Sequence, residues 1–308
     1  MNVFVEHSSF FAAPYLAEAL HARYYVMSSR YNDFFGISNT VMGIKCGENT
    51  EKIKSNTDIT IIGYLALQKI LKRIERGDFK RVNLILSDSR SCKYYKEWNE
   101  FVPKNNNIHL YLMPDIIPYC SIEYKPIYQY MKIHESLILP KQTDRLLITH
   151  SPRGNPKFIK KGTPAIIKII EDLQKKYDFE FKLITNLSMD DALKEKSRAH
   201  IHIDQLIYGN EEAKQTRFDE TLLYAGGLGK SGIEGMLLNC CVITSGIPPI
   251  TAPHFPPPPI TWTSYNTFYE DLENLIISEK LRNKHIRKQN KWLLKYHTRK
   301  FYKNYLTT

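Results

Sequence analysis

The chain has 308 residues, 43% of them hydrophobic and 24% charged, which excludes a disordered or fibrous chain and suits two globular domains. The formal net charge of +11 favours anionic partners, such as nucleic acid, lipid headgroups or phosphorylated small molecules, over acidic-surface functions, although a Lys-rich composition alone would give the same total. No apolar run reaches the roughly 18 residues a membrane span requires. The opening MNVFVEHSSFF has an acid and no basic residue before its apolar stretch, unlike a signal peptide, so the expected setting is cytoplasmic, with membrane-peripheral or DNA-directed work allowed by the charge.

The elements alternate from the start. NVFVEH (2–7) and RYYVMS (23–28) read as strands around a helical APYLAEALHA (13–22). Residues 29–56 read as loops, TDITIIG (57–63) as a buried strand and ALQKILKRIERG (66–77) as an amphipathic helix with a glycine stop. VNLILSD (82–88) and IHLYLMP (108–114) are further strands around YYKEWNEF (94–101). After a seam near 130–143, the strand DRLLITH (144–150) precedes a helix capped by Thr163-Pro164, with Ile166, Ile167, Ile170 and Leu173 at helical spacing. FEFKLIT (179–185) is a strand, and Ser188 with Asp191 caps a helix running to about residue 198. HIHID (200–204) and CCVITSG (240–246) are strands around a glycine-led helix. Residues from SYNTFYEDL to the end read as helical. Alternation of this kind predicts two parallel sheets packed between helices. Cysteines 46, 92, 120, 240 and 241 form no C-x-x-C and read as thiols of a reducing compartment.

YAGGLGKSGIEG (224–235) imitates a phosphate-binding P-loop. That motif requires a glycine five positions before its Gly-Lys-Ser, and Tyr224 stands there. Two readings remain. The glycines allow close helix–sheet packing, or Gly226, Gly227 and Gly229 let backbone amides approach an anion at a helix N-terminus.

GGLGKSGIEGMLLNCCVITSG resembles the E-G-x-G-x-x-x-x-E-A-x-x-x-G-x-P-V-I segment of the group-one, retaining, nucleotide-sugar glycosyltransferases of GT-B fold. HSPRGNPKFIKKGTPAIIKIIEDL (150–173), DFEFKLITNLSMDDALKEKSRAHIHIDQL (178–206), PPPPITWTSYNTFYEDLENLI (256–276) and KWLLKYH (291–297) follow the family's order, so the resemblance covers residues 144–300. It implies two Rossmann-like domains facing each other across a cleft. Residues 1–140 would form the acceptor side and 141–285 the donor side, with a helix at 286–308 crossing back to the first domain. It implies a nucleoside-diphosphate sugar as co-substrate, with no tightly bound cofactor and no metal requirement. Arg153 and Lys161 would neutralise the donor diphosphate, joined by Gly229, Lys230 and Ser231. Glu234 would hold the ribose, and Gly227 and Asp204 would edge the donor site. The first family carboxylate falls on Gly226, a departure that puts sugar contacts or activity itself in question.

On the acceptor side, His7 and Asp88 follow strands and are the candidates for catalytic work. His200 and His202 share a strand face but lack a third metal ligand. The basic C-terminal stretch, with Trp292, Tyr296, Phe301, Tyr302 and Tyr305 interleaved, would pack its aromatics inward and offer its charges to an anionic acceptor, either DNA or a membrane-surface glycolipid. Three functions are carried forward: transfer of a hexosyl or pentosyl group, a virus-type DNA glycosyltransferase acting on modified bases, and a non-catalytic sugar-nucleotide or glycan-binding module.

Overall fold

The computed structural model describes residues 3–6, 23–26, 53–86, 94–113, 120–128, 130–152, 161–206, 227–246 and 255–307. Two compact units emerge, Met1–Met131 with His297–Thr308, and Lys132–Tyr296.

The first unit is built on six parallel strands: β1 (Val3–Glu6), β2 (Arg23–Val26), β3 (Thr57–Ile62), β4 (Phe79–Leu86), β5 (Ile108–Leu112) and β6 (Lys125–Pro126), in the order β2-β1-β3-β4-β5-β6. β3 and β4 end in near-continuous buried runs, as strands covered on both faces do. Helix α1 (Tyr64–Glu75) returns the chain from β3 to β4 and buries Leu67, Ile70 and Ile74. It stops at Gly77, whose φ of 74° only glycine adopts without strain. Helix α2 (Tyr95–Phe101) buries Trp98. The two-residue β6 is an addition to the sequence reading, being too short to show a period.

The second unit holds β7 (Leu146–His150), α3 (Thr163–Gln174), β8 (Phe179–Leu183), α4 (Met189–Ser197), β9 (Ile201–Ile203), α5 (Lys230–Leu237), β10 (Cys241–Ser245), β11 (Thr261–Thr263), α6 (Phe268–Ile277) and α7 (Glu279–Tyr296). Its five strands are parallel, in the order β11-β10-β9-β7-β8. The order reverses between β7 and β9. In open parallel sheets, ligands bind outside the carboxyl ends of the strands at such a switch point. One face of the sheet presents Ile148, Ile201, Ile203 and Ile243 to Ile166, Ile170 and Leu173 of α3 and to Phe268, Leu272 and Leu275 of α6. The alternate residues, Thr149, His202 and Val242, turn to the opposite face, which lies under α5.

Two local expectations are corrected. Thr163 is not the cap of α3. The cap is Gly162, at φ 67°, and the Thr163 hydroxyl lies 2.9 Å from His150 Nε2 instead. The final stretch is three helices, α6, α7 and α8 (Arg299–Thr307), not one. Ser278 breaks the first junction in an extended conformation while its hydroxyl accepts from Leu281 N–H, and Thr298 accepts from Phe301 N–H at the second. α8 belongs to the first unit, where the Tyr302 and Tyr305 hydroxyls donate to the carbonyls of Tyr128 and Pro126, both at 2.8 Å. The Ser188 cap of α4 is present, with Asp191 N–H donating at 3.1 Å.

Burial carries a pH dependence. It pushes the His150 imidazole down to about 3 and the His297 imidazole down to about 4. Unfolded histidines titrate near about 6.5. Below that value the unfolded chain takes up protons that the fold refuses, so this stability is full above about pH 6.5 and is lost as pH falls toward the folded values. Thermal unfolding midpoints should therefore fall steadily from about pH 7 to about pH 4. Level midpoints across that window would contradict the buried, neutral assignment.

Candidate functional site

The site gathers at the carboxyl ends of β7, β9 and β10. The αL turn at Gly162 folds residues 161–162 against the segment after β9, where Leu206 N–H donates to the Lys161 carbonyl at 2.9 Å. This brings Lys161 Nζ to 3.0 Å from Asp204 Oδ1. Asp204 has no exposed surface, and its Oδ2 accepts from Gly229 N–H at 2.7 Å. A carboxylate of the chain itself thus caps the positive end of α5. The family pattern has the Gly229 amide offered to a diphosphate. In the structure that amide is already bound to Asp204.

The glycines of this helix have a packing role. A Cβ on Gly229 or Gly232 would lie 3.2 or 3.1 Å from Asp204 Oδ2, and one on Gly235 would lie 3.0 Å from both His202 and Val242. Spaced by three, they give α5 a side without Cβ atoms that lies close on β9 and β10. The Gly227 carbonyl accepts from the Gln205 side-chain amide and, at 3.2 Å, from the Thr244 hydroxyl.

Glu234 sits one turn into α5 and is largely buried, 9% exposed. Its Oε2 accepts from Lys196 Nζ at 2.6 Å, while Oε1 lies 3.5 Å from Lys230 Nζ. Burial pushes the Glu234 carboxyl up, but the Lys196 and Lys230 charges outweigh it and hold it below its ordinary value. Burial pulls the Lys230 ammonium down, against the opposing charge of Glu234. Lys196 also donates to Ser231 Oγ at 2.8 Å. That hydroxyl lies 2.9 Å from His202 Nε2, and His202 Nδ1 lies 3.0 Å from Thr149 Oγ1. His202 is held neutral by burial. Both strand histidines are therefore tied inside the fold, His200 Nδ1 accepting from Leu147 N–H at 3.0 Å. Among the described residues no three His, Cys, Asp or Glu side chains are grouped to hold a metal ion.

The structure thus brings Lys161, Asp204, Gly227, Gly229, Lys230, Ser231 and Glu234 together. His7, Asp88, Arg153 and Gly226 lie outside the described residues. Lys196 escapes the sequence reading. Its signal is its register: it falls three residues after the buried Leu193 on α4, so a core-facing position holds a lysine. Ser151 directly follows β7. Its buried Oγ has no hydrogen-bond partner among the described residues.

No protein-family model matches the sequence, and no curated protein matches it. Solved structures do. Trehalose-6-phosphate synthase, studied for glycosyltransfer with retention, aligns at 9% identity and TM-score 0.58, covering 99% of this chain and 98% of that one. The α,α-trehalose-phosphate synthase (UDP-forming) of Burkholderia vietnamiensis aligns at 7% identity and TM-score 0.55, covering 99% and 98%. TarM aligns at 14% identity and TM-score 0.47 over 81% of this chain, which spans about half, 54%, of TarM. The two doubly wound parallel sheets are those of the GT-B glycosyltransferase fold. Among the described residues no helix is long and apolar enough to cross a membrane.

Proposed function

We propose that the chain is a glycosyltransferase that moves a hexosyl or pentosyl group from a nucleoside-diphosphate sugar to an acceptor with retention. The observation that carries this reading is Glu234, a carboxylate held ionised one turn into the helix that opens over the sheet's switch point, with Lys161 and Lys230 beside it. Glu234 Oε1, left with the looser of the two lysine contacts, accepts from the ribose hydroxyls. Lys161, Lys230 and the first-turn amide of Ser231 face the diphosphate, and Arg153 joins them by the family pattern. These cations matter most as the glycosidic bond breaks, when negative charge builds on the departing nucleoside diphosphate. The UDP-forming neighbour makes uridine the first nucleotide to try, and the retention studied in the other supports retention here. His7 and Asp88 remain the acceptor-side candidates.

A second reading has its own observation. Gly226 replaces the family carboxylate, and Asp204 already holds Lys161 and the Gly229 amide. Those features suit a module that binds a sugar nucleotide without turning it over. Incubation with a panel of UDP- and GDP-sugars, followed by mass spectrometry of the released sugar and NMR of its anomeric configuration, separates the two. The transferase reading expects slow donor hydrolysis with the donor's configuration kept. Tight donor binding with no hydrolysis or transfer would leave the binding module.

A further inference from the structure

Almost all the excess charge of this chain sits in one segment. Residues 280–308 hold ten Lys or Arg and no Asp or Glu, which leaves residues 1–279 with a net charge of +1 out of the total of +11. A generally Lys-rich composition would spread the excess along the chain, so the segregation needs its own cause. Helix α7 shows how part of it is displayed. Lys280, Lys284, Arg287, Lys288, Lys291 and Lys295 are all exposed and recur at spacings of three and four, on one side of the helix. The row is about 22 Å long at 1.5 Å per residue. The other side is anchored: Leu281 and Ile286 pack on the core of the second unit, Gln289 and Trp292 are buried, and Arg282 donates to the carbonyls of Leu275 and Ile276 at the end of α6. Among the described residues none of the six exposed cations has an ion-pair partner. Their direction is thus fixed by packing, and their charge is directed outward.

The geometry points to the exposed face of α7 as a docking surface for an anionic lipid bilayer. Three features favour a bilayer over nucleic acid. Three aromatic side chains of the segment that could stack on bases are turned in, since Trp292 stacks on Phe255 and donates to the Pro256 carbonyl and Tyr302 and Tyr305 are buried, while Tyr296 and Phe301 are half-buried against Phe255 and Tyr305. The large side chain that does face out is apolar. Leu294 is 79% exposed between Lys291 and Lys295, a position that wastes apolar surface in water and can enter the headgroup layer of a membrane. Five of the six cations are lysines, point charges suited to a diffuse sheet of anionic headgroups more than to the paired contacts of an arginine fork.

The test is sedimentation of the full chain with vesicles of phosphatidylcholine alone, or of phosphatidylcholine mixed with phosphatidylserine, beside a gel shift on duplex DNA. Binding to the phosphatidylserine vesicles only, weakened by salt, is expected. Each lysine removed should weaken it about fivefold, so Lys284→Gln with Lys291→Gln should lower the vesicle partition about 25-fold. Reversal of Lys284, Arg287, Lys288 and Lys291 to Glu should abolish it, and Leu294→Ser should weaken it at unchanged salt dependence. The exposed positions predict unfolding midpoints like the parent's. Failure to bind anionic vesicles, equal binding to neutral ones, unchanged binding by the Lys284→Gln, Lys291→Gln chain, or binding to duplex DNA in place of vesicles would each overturn the proposal.

Discussion

Replacing Gly162 by alanine should cost at least about 4 kcal/mol and melt the second unit first. A Cβ there would lie 1.6 Å from the Leu206 carbonyl oxygen, a backbone atom that cannot rotate aside. The backbone must separate by well over an ångström, which breaks the Leu206–Lys161 bond and withdraws Lys161 from Asp204. The αL conformation at φ 67° adds about 1–2 kcal/mol for any L side chain. Gly77 supplies the control: its φ is 74°, yet a Cβ there meets nothing within 4 Å. Gly77→Ala should therefore show the conformational cost alone. Denaturant unfolding of the two variants measures the difference. Equal losses would mean that the Leu206 contact relaxes freely.

Lys196→Met should destabilise by about 3–5 kcal/mol, because it strips the close partner from a buried carboxylate. Lys196 is 2% exposed and supplies the 2.6 Å contact to Glu234, and the remaining partner, Lys230, stands 3.5 Å away. In a domain of this size the unfolding midpoint should drop by roughly 10 °C. Adding Glu234→Gln to Lys196→Met should restore most of the loss, since an apolar side chain facing a neutral amide leaves no charge stranded. A Lys196→Met midpoint within a degree or two of the parent, or a double variant worse than the single, would mean that the pair is not coupled.

Much of the fold is legible in the sequence because the long strands are simple. TDITII, VNLIL and CVITS are largely apolar runs that lie in strands as the pattern predicts, although the second strand begins three residues earlier, at Phe79. Lys125–Pro126 and Thr261–Thr263 are too short to carry a period, and the second follows a proline run that masks its start. In the terminal helices, a serine and a threonine interrupt a pattern that is helical on both sides, and only their capping bonds reveal the breaks. At the site, the pattern of glycines, Lys161 and Glu234 marks residues that the fold brings together. It does not reveal what the glycines face. Gly229, Gly232 and Gly235 recur at intervals of three, a spacing that marks a helix side pressed on a sheet, and Asp204 and His202 lie beneath it. Lys196 is hidden for the opposite reason: in ALKEKSRAH it reads as one more solvated lysine until its register with Leu193 is considered.

Calorimetry with the four common ribonucleoside diphosphates and their 2′-deoxy counterparts tests the central claim, a donor site in which Glu234 holds the ribose. At least one ribonucleotide should bind, preferred over its 2′-deoxy form by about tenfold or more, as expected for a hydrogen bond to a charged acceptor. The preference should vanish in Glu234→Ala, while Lys161→Ala weakens both forms alike. Binding of none of the nucleotides, or an unchanged preference in Glu234→Ala, would contradict it.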